Sequence, residues 1–328
     1  MSPQSQSTPL QAALTTSVTN GHFLDTVYYL FSSRLSSGRV GKLQPLYANS
    51  QVLKAAGQHF RGQLSAGFQM RHELPNDIED YDYAEDSDLE DDDQDDIATR
   101  SDIVFYIYLH QPALDEIDTV NCVDDKQRTL SNFKHVIVIP DVAATTWCAL
   151  MCYIYTGEIK FALLKSGGKR HENIVKHKRD NPLAPIPCSP KSMYRLAEMI
   201  GLEGLKTLAL ENLQSQLSTV KIMDETFSKF SSWYPEILIA EADHICGLYL
   251  PLSSNTTTMT AIEEKISQVA RGELPHAEGA IMALLRRFSE HKSITPKELD
   301  GDSRPSSPPG GYVPKKKLRS ATTTMHAS

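Results

Sequence analysis

Two hydrophobic periods alternate along the chain, and the places where they change mark its elements. The densest apolar stretch, His135 to Phe161, contains both. It opens with Val136-Ile137-Val138-Ile139, an unbroken β-branched run closed by Pro140-Asp141, which predicts a buried strand stopped by a turn. Trp147, Leu150, Met151 and Ile154 then fall at i, i+3, i+4 and i+7, one stripe of a helix. Cys148, Cys152 and Tyr155 make the other flank nearly as apolar, so this helix is expected to pack on more than one side. Gly157 supplies the stop, because without a Cβ it can take the left-handed cap conformation. Glu158 to Phe161 reads as a short strand leaving the helix.

Either side of this unit the pattern is clear in some places and lost in others. Asp25 to Phe31 is strand-like, Ser36 to Gly41 a turn, and Leu43 to Ala48 a returning strand. Asn49 or Ser50 caps a helix through Val52, Leu53, Ala55 and Ala56, with Gly57 at its end, and a shorter helix follows through Phe60, Leu64 and Phe68. Ser101 to Leu109 is a strong isolated strand signal. Further on, Ser189 caps a helix with Pro190 at its first position and Met193, Leu196, Ala197 and Ile200 on its apolar stripe. Gly201 ends it, and Leu202 to Leu217 form the next helix. Helical patterns continue over Ile222 to Trp233, Pro235 to Tyr249, and Thr258 to Arg287 with a break near Pro275. The mixture predicts an α+β protein, and no internal repeat points to a solenoid or propeller.

Charge changes the picture because it is not spread evenly. Thirteen of the twenty residues from Asp77 to Asp96 are acidic and none is basic; without them the net charge of −8 becomes +5. Residues 75–100 are therefore expected to stay solvated and disordered, because repulsion and scarce aliphatic residues leave little burial to offset ordering. Residues 163–187 read as a basic loop carrying Lys165, Lys169, Arg170, Lys176, Lys178 and Arg179, over which the acidic run could fold back. The Ser/Thr/Gln-rich residues 1–22 are expected to be a disordered tail without a secretory leader, and residues 294–328 a disordered basic tail. No window is apolar enough to span a bilayer, so no membrane contact is expected. Pro314 to Arg319 resembles a nuclear-import signal in Lys315, Lys316, Lys317 and Arg319, and reads equally as a solubilising tail. An intracellular setting, cytoplasm or nucleus, fits five cysteines at irregular spacing; Cys148 and Cys152, one turn apart, are expected to be buried thiols rather than ligands.

Chemistry-bearing motifs are absent from the sequence: it has no P-loop, no HExxH, no G-x-S-x-G and no Rossmann glycine triplet. A solvated acidic run cannot hold carboxylates in register for acid–base work. The basic cluster lacks interleaved aromatics, so direct nucleic-acid binding is not expected. A non-enzymatic protein without cofactor or metal is the reading. Ser87-Asp-Leu-Glu90 places an acid three residues after a serine, which makes Ser87 a phosphorylation candidate.

The order of the pieces resembles a BTB/POZ domain. A strand pair is followed by Val52-Leu-Lys-Ala-Ala-Gly-Gln-His-Phe60, then an apolar strand with Pro-Asp-Val, then Tyr-Ile-Tyr-Thr-Gly157, then Ser189-Pro-Lys-Ser-Met-Tyr-Arg-Leu-Ala-Glu-Met-Ile-Gly-Leu202. The likeness spans roughly residues 25–70 and 101–218 and is nearest to stand-alone BTB proteins of fungal type. Asn49 stands where the family usually has His, and Gly57 where it usually has Ser. Asp25 or Asp102 could supply the family's aspartate before the first strand; Asp25 is favoured because it leads into the Val52 helix.

The resemblance implies a small mixed sheet flanked by helices over residues 23–218, interrupted by 75–100 and 163–187, with a helical extension over 219–293. Val52, Leu53, Phe60, Trp147, Leu150, Ile154, Tyr155, Gly157 and Leu196 would form its structural frame. It implies homotypic association as a dimer, with Leu24, Val27 and Tyr29 as an apolar contact edge. It also implies docking to a cullin scaffold as a ubiquitin-ligase adaptor, for which Phe68, Met70 and Glu73 occupy the place of the family's apolar-x-Glu pattern. The alternative is a nuclear transcriptional or chromatin regulator that uses the core as a dimerisation platform.

Overall fold

The computed structural model describes residues 8–65, 75–79, 81–83, 85–91, 133–218, 221–249 and 256–292. Its sheet is built around β1 (Thr26–Arg34), which pairs antiparallel with β2 (Val40–Ala48) from Thr26↔Ala48 to Arg34↔Val40. On its other edge β1 takes two parallel partners in turn. β5 (His135–Ala143) lies beside Thr26 to Phe31, and the two-residue β4 (Glu90–Asp91) beside Ser33 and Arg34. β3 (Asp77–Ile78) closes the far edge of β2 at Val40 and Gly41. Pairing of β5 jumps from Ile139 opposite Leu30 to Ala143 opposite Phe31. Pro140, which has no N–H to give a ladder, sits exposed in that irregularity.

Helices pack on one face of this sheet. After β2 come α2 (Ser50–Ala56) and α3 (Gln58–Ser65), after β5 comes α4 (Ala144–Thr156). Asn49 caps α2, accepting from the N–H groups of Gln51 (3.0 Å) and Val52 (3.2 Å). Asp25 holds the same turn by accepting from the Ser50 N–H at 2.7 Å and hydroxyl at 2.5 Å. Gly157 ends α4 at φ 77° and donates to the Tyr153 carbonyl, as the sequence predicts. Trp147 is fully buried on α4, its ring centroid 5.1 Å from Tyr28 and 6.2 Å from Phe60. Val52, Leu53, Phe60, Leu150 and Leu196 are buried with it, while Ile154 and Tyr155 are half-buried against the same core.

The chain continues through a 3₁₀ turn at Lys165–Gly167, α5 (Arg170–Asp180), and the paired α6 (Pro190–Ile200) and α7 (Glu203–Ser215). Ser189 caps α6 through the Ser192 N–H and Gly201 ends it at φ 71°. α8 (Ile222–Thr226), α9 (Lys229–Trp233), α10 (Pro235–Tyr249), α11 (Thr256–Ala270) and α12 (Glu278–Lys292) follow. Ile222, Phe227, Leu238, Ile245, Ile262 and Leu284 belong to a second apolar cluster in these helices. Leu217 packs against both clusters, and within the first the Tyr194 ring meets Phe230 and Tyr234 edge-on at 6.1 and 5.0 Å.

Five expectations are corrected. Pro9–Asn20 within the supposed N-terminal tail is a helix, α1, because Thr8 and Gln11 form a reciprocal capping box. The basic stretch 163–187 is largely helical, with α5 at its centre. Glu158 to Phe161 is not a strand but a single bridge from Phe161 to Cys188. Ile222 to Trp233 is two short helices, separated where Ser228 caps the second. The fifth is the largest: residues 75–91 are not a solvated run. Tyr81, Tyr83, Asp86, Asp88 and Leu89 are buried, and β3 and β4 anchor the two ends of the segment to the sheet. Ser101 to Leu109, residues 92–100 and the tail from 294 lie outside the described residues. Among the described residues, no helix is long and apolar enough to cross a membrane.

Candidate interaction surface

Alternation along the three long strands sorts their side chains onto two faces. Tyr28, Leu30, Leu46, Ala48, Ile137 and Ile139 form the inner set; all are buried in the core with Trp147. The outer set is Val27, Tyr29, Pro45, Tyr47, Val136 and Val138, brought side by side by the pairs Val27↔Tyr47, Tyr29↔Pro45, Val27↔Val136 and Tyr29↔Val138. Phe133, just before β5, stacks on Tyr47 at 5.4 Å with 30° between the rings. Apart from the buried Val27, this set is half-buried or, at Tyr47, 37% exposed.

An antiparallel or mixed sheet that meets water on one side ordinarily carries polar residues there. Here the outer face is apolar at each of these positions, on β-branched and aromatic side chains. Strands that are apolar at every residue are the pattern of a sheet covered twice. Among the described residues, helix packing accounts for the inner face only. The outer face, half-buried with Tyr47 the exposed member, is the candidate site, an apolar patch of a kind that marks contact with another surface.

The expected contact edge is redrawn accordingly. Leu24 is 42% exposed and Tyr29 belongs to the outer face, but Val27, between Tyr47 and Val136 in the register, is 1% exposed and leaves no surface for a contact. Pro45, Tyr47, Phe133, Val136 and Val138 were the residues missed. The unbroken Val136–Ile139 run was their signal, since a strand half-exposed to water would alternate. Phe68, Met70, Glu73, Lys315, Lys316, Lys317 and Arg319 lie outside the described residues.

A polar cluster lies elsewhere, where residues 75–91 cross the helices. Asp88 is fully enclosed and forms an ion pair with Arg170. Its carboxylate also accepts from the Thr146 hydroxyl at 2.6 Å and, through both oxygens, from the Ser189 N–H at 2.9 Å. Asp86 accepts from the Ser192 hydroxyl at 2.6 Å and the Tyr81 hydroxyl at 2.9 Å. Burial pushes the Asp88 carboxyl up, to about 6, with the Arg170 guanidinium opposing. Asp91 meets Arg34 at 2.9 Å and Lys165 at 3.4 Å, and Asp77 meets Arg39 at 2.7 Å. The acidic run thus does meet the basic stretch, through contact rather than long-range attraction. Every carboxylate oxygen of Asp88 is engaged by a donor, so the cluster holds structure together and offers no open position to a substrate.

Two further groups are chemically distinctive. Cys152 is half-exposed on α4, and hydrogen bonding from Cys148 one turn away lowers its thiol to about 7. Glu241 on α10 is fully buried near Ser231, Lys191 and Glu225, and burial raises its carboxyl to about 7. Neither a scan against protein-family models nor a search of curated proteins returns a match to this chain.

Proposed function

We propose that this chain is a non-enzymatic protein-interaction module of BTB/POZ type that associates with a second copy of itself through the outer face of its sheet. The observation that carries the reading is that face: Tyr29, Pro45, Tyr47, Phe133, Val136 and Val138 form an apolar patch without a charged side chain among them. The resemblance is supported by element order. A hairpin, a helix pair, a strand parallel to the first, a helix ending in Tyr-Thr-Gly and a second helix pair succeed one another in the sequence it implies. An uncharged face poses no like-charge repulsion to its own copy, and a two-fold dimer is the simplest closed arrangement that covers it.

Sedimentation equilibrium at micromolar concentration tests the reading. The wild-type chain should sediment at twice its 36.5 kDa mass, and Tyr47→Asp or Val138→Lys should return it to a single-chain mass with its melting transition retained. A wild-type chain that stays at one-chain mass rules the dimer out.

A further inference from the structure

The segment from Asp77 to Asp91 behaves as a strap. It leaves the sheet at β3, crosses the α4 and α6 N-termini, and rejoins the sheet at β4. Its side chains alternate in role. Tyr81, Tyr83, Asp86, Asp88 and Leu89 point into the protein, whereas Asp82, Glu85, Glu90 and Asp91 face out. Ser87 sits at the tightest point of this arrangement, half-buried in the turn closed by the Leu89 N–H donating to the Asp86 carbonyl at 3.3 Å. The two residues that flank it are those whose carboxylates lock the strap, Asp86 on Ser192 and Tyr81, Asp88 on Arg170, Thr146 and Ser189.

We infer that Ser87 is a phosphorylation site for an acid-directed protein kinase and that the phosphate switches the strap from docked to released. A kinase binds its target in extended form, so the docked turn is a poor substrate and the undocked strap a good one. Once free, Ser87 presents Asp88, Glu90 and Asp91 at the following first, third and fourth positions. In the transfer, the Ser87 Oγ forms a bond to the γ-phosphorus of ATP, the bond to the β–γ bridging oxygen breaks, and ADP leaves. The hydroxyl proton passes to the kinase's base.

The product cannot redock as before. A phosphate carries a charge of about −1.5 to −2 and needs cationic or N–H partners. Ser87 lies between two residues, each about 3.8 Å away from Cα to Cα, whose carboxylates are already committed, Asp88 to Arg170 and the Ser189 N–H and Asp86 to Ser192 and Tyr81. Because kinase and fold compete for the same segment, modification draws the equilibrium toward the open form by as much as the two states differ in their tolerance of the phosphate.

The test uses the full chain, an acid-directed protein kinase and MgATP, with intact mass and peptide mapping as readouts. Wild type should take up phosphate slowly at Ser87, and Arg34→Ala, which removes the ion pair to Asp91 and the hydrogen bond to the Asp86 carbonyl, at least tenfold faster; Ser87→Ala should lose that phosphate. The phosphorylated wild-type protein should be cut within residues 77–91 by a nonspecific protease at least tenfold faster than the unmodified one. Arg170→Ala, if it keeps a cooperative melt, should behave as Arg34→Ala does. The inference fails if Ser87 stays unmodified in Arg34→Ala while a synthetic peptide of residues 82–94 is modified, or if the phosphorylated protein keeps its protease resistance.

Discussion

Asp88 and Arg170 lie 82 positions apart in the chain and meet as an enclosed ion pair, the carboxylate fully buried and the guanidinium side chain 9% exposed. Removing one partner leaves the other charge buried and unmatched, which costs more than the pair contributes as a whole. Arg170→Ala is therefore expected to lower stability by about 3–5 kcal/mol, and Thr146→Val, which removes one neutral donor, by about 1–2 kcal/mol. Urea unfolding of the two variants measures both, and an Arg170→Ala loss no larger than that of Thr146→Val would mean that the pair is solvated.

Deleting residues 77–91 should abolish cooperative unfolding. The deletion strips Tyr81, Tyr83 and Leu89 from the core and leaves Arg170 and the capped start of α6 without their carboxylates. Circular dichroism melts of the deletion decide the matter; a sharp transition at the wild-type temperature would make the strap a passenger.

Stability should fall between acid and neutral pH on account of Glu241. Its carboxyl titrates near 4.5 when unfolded and at about 7 when folded, because burial disfavours the anion. The folded state therefore holds this proton more tightly. The stabilisation is complete below about 4.5 and is lost as pH rises to about 7, about 3 kcal/mol in all. Lys191 from α6 and Glu225 from α8 face the same spot, the first opposing the shift and the second adding to it. Asp88, also raised by burial, acts in the same sense. Glu241→Gln should flatten the slope of stability against pH between 4.5 and 7.5, and an unchanged slope would assign it to other groups.

Cys152 should be the fastest to alkylate among Cys148, Cys152, Cys188 and Cys246. The thiolate is the nucleophile, and only Cys152 combines a lowered thiol with partial exposure. Burial pushes Cys188 and Cys246 up and out of reach, and Cys148 rises as the hydrogen-bond partner of Cys152. Limited iodoacetamide at neutral pH, followed by peptide mapping, should show about a tenfold preference; equal labelling of Cys148 would contradict it.

What could be read in the sequence depended on whether burial leaves a period. The β1–β2 hairpin, β5, α4 and the α6–α7 pair were legible because their apolar residues recur at two or at three to four. The Gly157 and Gly201 stops were legible because a positive φ favours a residue without Cβ. The strap was not. Its buried residues are set among acids without a period, and what offsets their burial lies far along the chain, at Thr146, Arg170, Ser189 and Ser192. Composition measures repulsion within a run but not the cations that another segment brings to it. α1 was hidden differently: a Ser/Thr-rich composition masked the four-residue capping box that starts it. Half of the outer face was visible as the apolar run at Val136, but its aromatic half follows from register, which pairs Tyr47 with Val27.

The sheet's central strand also sets a clock for synthesis. β1 and β2 emerge together and can pair at once, but the parallel partner of Thr26 is His135, 109 residues later in the chain. At about 5–20 residues per second, the ribosome needs on the order of 5–20 s to make up that distance. Throughout that interval the nascent hairpin presents one unpaired, strongly apolar edge, the condition under which strands join the wrong neighbour. A chaperone that holds short apolar strands should therefore raise the yield of this protein during its synthesis, and do far less once residue 143 has emerged.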